Sequence, residues 1–335
     1  MKRLGAGLAL LAGLTAFGMV PAVAQNDFYK DKVINFVVHG SPAGGHTRHA
    51  RMIAPYIQKH TGAKEVRITN LQGGGGLKGA NSLWREKTDG YTIALSSIPT
   101  LILAPLAGSA GAQFDATKFT YIARVTSEPR VLTVGGKSPL KTVDDLRKLN
   151  RPFVFPSQGT DEDFYTMAVL FDVLGLPIKM VTGYEGNADT ALAVIKGDGD
   201  GHITSWSQTV GSIASGDKRP FLIVGSERIP EAPDVPTVFE VTPREKHASL
   251  RAIINTVDLH RCLIGPPNMD AKAVAALRTL VMAAMNDPEL KAESLKNKMP
   301  LTPLDGAKVT EMVSEVAKAS GSLSPILKAA VKTIQ

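Results

Sequence analysis

The chain has one cysteine, Cys262, in 335 residues. A lone thiol excludes an intramolecular disulfide, and it lies too far from the N-terminus to carry a lipid there. Its apolar surroundings predict an inert core residue. Aromatic residues make up only 6% of the chain, and no long lysine or arginine block occurs. A nucleic-acid surface needs a basic stripe with interleaved aromatics, so no nucleic-acid partner is expected. The formal net charge is +7, of which Lys2 and Arg3 supply two. The mildly positive remainder suits collecting anions and equally fits a merely solvated surface.

Catalytic signatures are also missing. Gly74-Gly75-Gly76-Leu77-Lys78-Gly79 satisfies G-x-G-x-x-G, but the stretch Ala94–Leu101 lacks the acidic residue that would hold a ribose. Gly136-Lys137-Ser138 looks like the end of a P-loop, yet Val131 stands where its first glycine belongs. No serine sits in G-x-S-x-G. His46 and His49 can share a helix face near His39, but no acidic second-shell partner lies close in sequence. Neither a metal nor a cofactor is expected.

What is present begins with an export signal. Lys2 and Arg3 precede an apolar run from Leu4 to Val20, and Ala22-Val23-Ala24 matches a signal-peptidase site. Residues 1–24 are therefore expected to be removed, and no second segment could span a membrane. The remaining length suffices for two structural units.

The run Val33–Val38 then leads into the turn Gly40–Gly45. Ala50, Ile53, Ala54 and Ile57 follow at i, i+3, i+4, i+7. A strand feeding a glycine-rich turn that opens a helix aims free N–H groups and the positive helix end at one point. That arrangement is either an anion site or a plain strand–helix connection.

Strand-like and helical segments alternate along the chain. Strands are expected at Val66–Thr69, Thr92–Ser96, Tyr121–Val125, Val131–Val134, Phe153–Phe155, Ile178–Val181, His202–Ser205, Phe221–Val224, Ala252–Val257 and Cys262–Ile264. Thr142 to Asp145 and Thr160 to Asp163 read as capping boxes opening helices. Ser324-Pro325 reads as the cap and first residue of a last one. This pattern implies an α/β class with mostly parallel sheets in two units.

In order and spacing, a set of motifs resembles the Bug-type periplasmic solute receptors of tripartite tricarboxylate transporters over essentially the whole mature chain. They are Tyr29-Lys30-Asp31-Lys32-Val33-Ile34; Pro42-Ala43-Gly44-Gly45-His46-Thr47 with Ala50-Arg51; Asn70 through Gly76 with Gly79-Ala80; and Asp89-Gly90-Tyr91-Thr92. They continue with Ser157-Gln158-Gly159-Thr160, Gly183-Tyr184-Glu185-Gly186, Ala232-Pro233-Asp234-Val235-Pro236-Thr237 with Glu240, and Gly265-Pro266-Pro267.

The resemblance implies a two-lobed, periplasmic-binding-protein-like (type II) fold with a central cleft. Residues 25–129 and 253–335 would form one lobe and 130–252 the other. It also implies a monomeric periplasmic receptor that closes on a small organic anion, a carboxylate, and delivers it to membrane transporter subunits. Gly44, Gly45, His46 and Thr47, with Ser97, would be donors from the first lobe. Ser157, Gly159 and Thr160 would be donors from the second, with Tyr184 and Ser205 as wall residues.

Two departures bear on the ligand. Arg48 stands where the family often has aspartate, and Pro156-Ser157-Gln158-Gly159 replaces the usual Ser-Ser-Gly. Arg48 either adds a charge-assisted donor favouring a second carboxylate or only adds surface charge. Trp206 either faces the cleft or packs in the core. The alternative function is an exported hydrolase or isomerase using His46 or His49 as base, which turnover of candidate substrates would reveal.

Overall fold

The computed structural model describes residues 27–334, and the expected export signal lies outside them. The first unit opens with β1 (Val33–Val38), α1 (Gly45–Thr61), β2 (Glu65–Asn70), α2 (Leu77–Trp84), β3 (Thr92–Ser96), α3 (Ile98–Leu106) and β4 (Thr120–Thr126). Ile34, Phe36 and Val38 alternate inward along β1 and bury against Ala50, Ile53 and Ile57 of α1. These are the apolar positions whose helical spacing the sequence displays. Gly62, with φ of 66°, ends α1 in a left-handed cap.

The chain crosses through Ser127–Pro129 into a second unit. Its elements are β5 (Arg130–Gly135), α4 (Val143–Arg147), β6 (Phe153–Pro156), α5 (Glu162–Leu174), β7 (Ile178–Val181), α6 (Asn187–Lys196), β8 (Gly201–Ser205), α7 (Trp206–Ala214), β9 (Lys218–Val224), α8 (Val238–Val241) and α9 (His247–Val257). The capping box of Thr142 and Asp145 is formed at α4. At α5 the cap is Asp161 rather than Thr160, since the Asp161 carboxylate accepts the Phe164 N–H at 3.0 Å. The cap therefore falls one residue later than the Thr160–Asp163 spacing suggests, and the orphan amide it satisfies is that of Phe164 rather than Asp163.

The chain returns through Asp258–His260 into β10 (Arg261–Gly265), α10 (Ala271–Met285), α11 (Pro288–Lys296), β11 (Leu304–Asp305), α12 (Gly306–Ala319) and α13 (Ser324–Lys332). The first unit's sheet has the order β11-β4-β10-β3-β1-β2, and the second unit holds a β8-β5-β9 sheet and a β6-β7 pair. The sheets are mixed rather than mostly parallel. β1 pairs in parallel with β2 and β3, and β6 with β7. The pairs β10–β3, β10–β4, β11–β4, β5–β8 and β5–β9 are antiparallel. The cause is the crossing: β4 carries the chain out, β10 carries it back, and side by side they run opposed.

The segment Ala252–Val257, expected as a strand, lies in α9. Leu250, Ile253, Ile254 and Val257, at helical spacing, are among its buried positions, with Ala252 and Thr256. Ser324 begins α13, but its hydroxyl donates to the Leu106 carbonyl at 2.8 Å instead of capping the helix. A continuous apolar cluster joins α3, α5, α9 and α13 through Leu103, Phe164, Ile253 and Leu327. The two units are thus packed together along a helical seam on one side of the crossings.

Candidate functional site

The turn after β1 hands the chain to α1 with Gly44 as N-cap, and no side chain there takes a first-turn N–H. The first amides of a helix have no internal acceptor, so α1 opens with free donors. Close by, Gly73, Gly74, Gly75 and Gly76 run with φ of 134°, 56°, 66° and 102°. That conformation favours glycine and leaves the backbone bare of side chains. These two stretches make one wall of a cavity of about 230 Å³. The facing wall comes from the second unit, with Gln158, Asp161, Glu162 and Asp163 at the head of α5, then Tyr184 and Gln208.

The walls are close. Ser97, after β3, donates to Glu162 Oε2 at 2.9 Å across the cavity. A Cβ added to Gly45 would fall 2.4 Å from the Gln208 side chain, and one on Gly75 3.0 Å from the Asp161 backbone.

At the base lies a buried charge network. Glu162 Oε1 accepts from Arg130 Nε at 2.5 Å, and Arg130 also lies 3.1 Å from Asp163 Oδ1. Arg130 donates to Ser205 Oγ at 2.8 Å, and His260 Nε2 stands 3.0 Å from Glu162 Oε2. Arg261, fully buried, pairs with Glu128 at 3.1 Å. Glu128 in turn accepts from the Ser207 amide and hydroxyl.

Burial sets the protonation states. Desolvation holds the His39 and His49 imidazoles down at about 3, and His46 and His260 well below their ordinary value, with nearby arginines adding to the effect for all but His39. All are neutral at physiological pH. Burial pushes the Asp161 carboxyl up to about 6 and raises that of Asp163 well above its usual range.

Gly44, Gly45, His46, Ser97 and Tyr184 line this cavity. Thr47 is buried beside it, donating to the Ser41 carbonyl and accepting from Asn70, both at 2.7 Å. Ser157 is buried and bonds within its own loop to Gly159. Thr160 and Gly159 sit in that loop, and Ser205 serves Arg130 and Arg261. None of these five is among the lining residues.

Arg48 is exposed, whereas Gly45, Thr47, His49 and Ala50 of the same helix are buried. It belongs to the solvent side of α1 and is not among the residues lining this cavity. Trp206 packs against a small cluster with Val131, Ile223 and Ile229 and is likewise not among the lining residues. Cys262 is buried, and desolvation raises its thiol far above the usual value.

The sequence reading missed the acids. Asp163 is legible only as the acid of a capping box with Thr160, and nothing in the sequence points to Asp161, Glu162 or Arg130. Gly73–Gly76 carried a motif but no assigned contact. Among the described residues no group of three or more histidines, cysteines or acids is arranged to hold a metal ion, and no helix is long and apolar enough to cross a membrane.

A family model described as the tripartite tricarboxylate transporter family receptor matches residues 49–327. Protein BugT of Bordetella pertussis is 25% identical over 240 residues, 70% of this chain and 73% of its own length. Among solved structures, the periplasmic binding protein BugD is 20% identical with a TM-score of 0.75, over 90% of this chain and 98% of that one. MatC from Rhodopseudomonas palustris, solved with bound malate, is 20% identical with a TM-score of 0.72, over 88% of this chain and 99% of that one. At these identities the structures establish a shared periplasmic-binding-protein fold.

Proposed function

The chain belongs to the tripartite tricarboxylate transporter receptor family, and from that premise we propose that it captures a small carboxylate in the cavity between its two units. The carrying observation is the wall of uncapped α1 amides and glycine backbone at Gly44–His46 and Gly73–Gly76. Such donors favour an anion without needing a charged side chain. The volume, about 230 Å³, suits a metabolite of a few carbons, and malate in MatC is an acid of that size.

The receptor acts in the periplasm as a monomer. The units are lobes hinged at Ser127–Pro129 and Asp258–His260, so the boundary expected at 252/253 moves to Val257, the end of α9, a helix that a cut at 252 would divide. A ligand touching both walls stabilises the closed arrangement over the open one. The closed form is what the transporter's membrane subunits recognise. Buried, neutral His46 and His49 weigh against a base role, and a turnover assay with candidate acids checks that point.

A thermal-shift screen of the purified protein against mono-, di-, tri- and aromatic carboxylates, with uncharged counterparts, tests the reading. A ligand at 100 times its Kd adds about 2.7 kcal/mol of stability. That raises Tm by several degrees, at roughly 2–4 °C per kcal/mol. Melting unmoved by every acid contradicts it.

A further inference from the structure

The two walls of the cavity have opposite chemistry. The first is backbone N–H with no acidic side chain. The second carries Asp161, Glu162 and Asp163, and Glu185 stands exposed among the lining residues. The cavity's single lysine or arginine is Arg130, 3% exposed, and it is already committed to Glu162 and Asp163. Glu162 is equally committed, to Arg130, Ser97 and His260.

Asp161 and Asp163 remain. Asp161 accepts from Phe164 N and from Gln158 Nε2 at 3.2 Å. Asp163 Oδ1, in a residue only 9% exposed, receives no hydrogen bond although Arg130 is near. A carboxylate has about four acceptor positions, so both keep capacity. The Nε2 atoms of His39 and His46, both on lining residues, also lack a partner, and His39 is only 6% exposed. The carboxylates are acceptors with room for donors, and each of the two ring nitrogens donates or accepts according to its tautomer. The head of α5 therefore does not repeat the anion site at the head of α1. Its own Asp161 already occupies the cap.

From this asymmetry we infer that the ligand is an amine-bearing carboxylate, its acid end on the Gly44–His46 and Gly73–Gly76 wall and its ammonium toward Asp161 and Asp163. The inference rests on the carboxylate-receptor reading and narrows it. An ammonium supplies three donors to carboxylate oxygens whose acceptor positions are only partly filled. A second carboxylate at that end would meet like charge in a desolvated site. The raised carboxyls of Asp161 and Asp163 fit the same picture, because a cation beside them returns both to the ionised form.

Calorimetric titration of the purified protein with matched pairs is the test: L-aspartate against succinate, L-glutamate against glutarate, 4-aminobutyrate against butyrate, anthranilate against benzoate. In the pairs that give heat, the amine-bearing member should bind at least tenfold more tightly. In Asp163→Asn protein the preference should fall below threefold, and Asp161→Asn, which retains a capping side chain, should reduce it in the same direction. Equal or tighter binding of the amine-free acids to wild-type protein overturns the inference while leaving the receptor reading in place. Silence from both members of every pair overturns the receptor reading and this inference with it.

Discussion

Glu162 is 2% exposed, yet it joins Arg130 from β5, Ser97 from beyond β3 and His260 from the return crossing. It ties both units to the return crossing through one carboxylate. Breaking a buried pair strands a charge and costs about 3–5 kcal/mol. Glu162→Ala should therefore lose about 3 kcal/mol in urea denaturation. Glu162→Gln should lose less, since the amide oxygen still accepts from Arg130 or Ser97. Equal stability of the alanine variant and the wild type would show the network is energetically idle. The sequence hid this residue in plain view. In Thr160-Asp161-Glu162-Asp163 any acid suits a helix start, and only the packing of three distant segments selects Glu162. Arg48 shows the converse: a suggestive neighbourhood, His46 and His49, with the side chain one position round the helix and exposed.

Among the elements, the glycine run Gly73–Gly76 does most to shape the site. Gly75 has φ of 66°, and a Cβ there would approach the Asp161 backbone to 3.0 Å. Gly75→Ala therefore meets both an unfavourable backbone conformation, costing about 1 kcal/mol, and a steric stop between the walls. The expected result is a folded protein with Tm lowered by a few degrees and ligand affinity reduced at least tenfold in calorimetry. Undiminished affinity would mean that the walls need not approach here.

The strands were largely readable because short apolar runs bounded by turn residues mark them, as at Thr92–Ser96 and Ile178–Val181. At α9 the β-branched run Ile253, Ile254 and Val257 favours a strand locally, while the spacing of these residues with Leu250 favours a helix. Burial against α5 decided the matter. α3, Ile98–Leu106, is buried on nearly all sides and shows no amphipathic period to read.

Taken whole, the molecule keeps an unusual number of neutral buried histidines. His39, His49, His202 and His260 are all held below the ordinary histidine value by burial. Their unfolded forms protonate near pH 6.5 while the folded forms do not. Their contribution is therefore complete above that pH and is lost as pH falls below it. Asp161 and Asp163 act oppositely. Their folded carboxyls keep protons that the unfolded chain releases, so they favour the folded state as pH falls through about 6 toward the ordinary aspartate value. With His46, held down in the same way, five histidines outweigh two carboxyls. Stability in urea should drop from pH 7 to pH 5, at on the order of 3–4 kcal/mol per pH unit near the lower end. A flat or rising midpoint over that range would mean the histidines are solvated in solution.

The α/β class and the family were legible from motif order. The mixed pairing was not, because β10 takes its place between β3 and β4 only after the whole second unit has intervened between Thr126 and Arg261. The polarity of the cavity was hidden for the same reason: its walls come from opposite sides of that crossing. The most direct measurement is a crystal structure of the protein with the tightest-binding acid from the screen. The account predicts the ligand's carboxylate at the amides of Gly45, His46 and Gly73–Gly75, since those of Gly44 and Gly76 already donate to Ser41 and Gly73, with its other end against the head of α5. A ligand found elsewhere, or one touching a single unit, would contradict it.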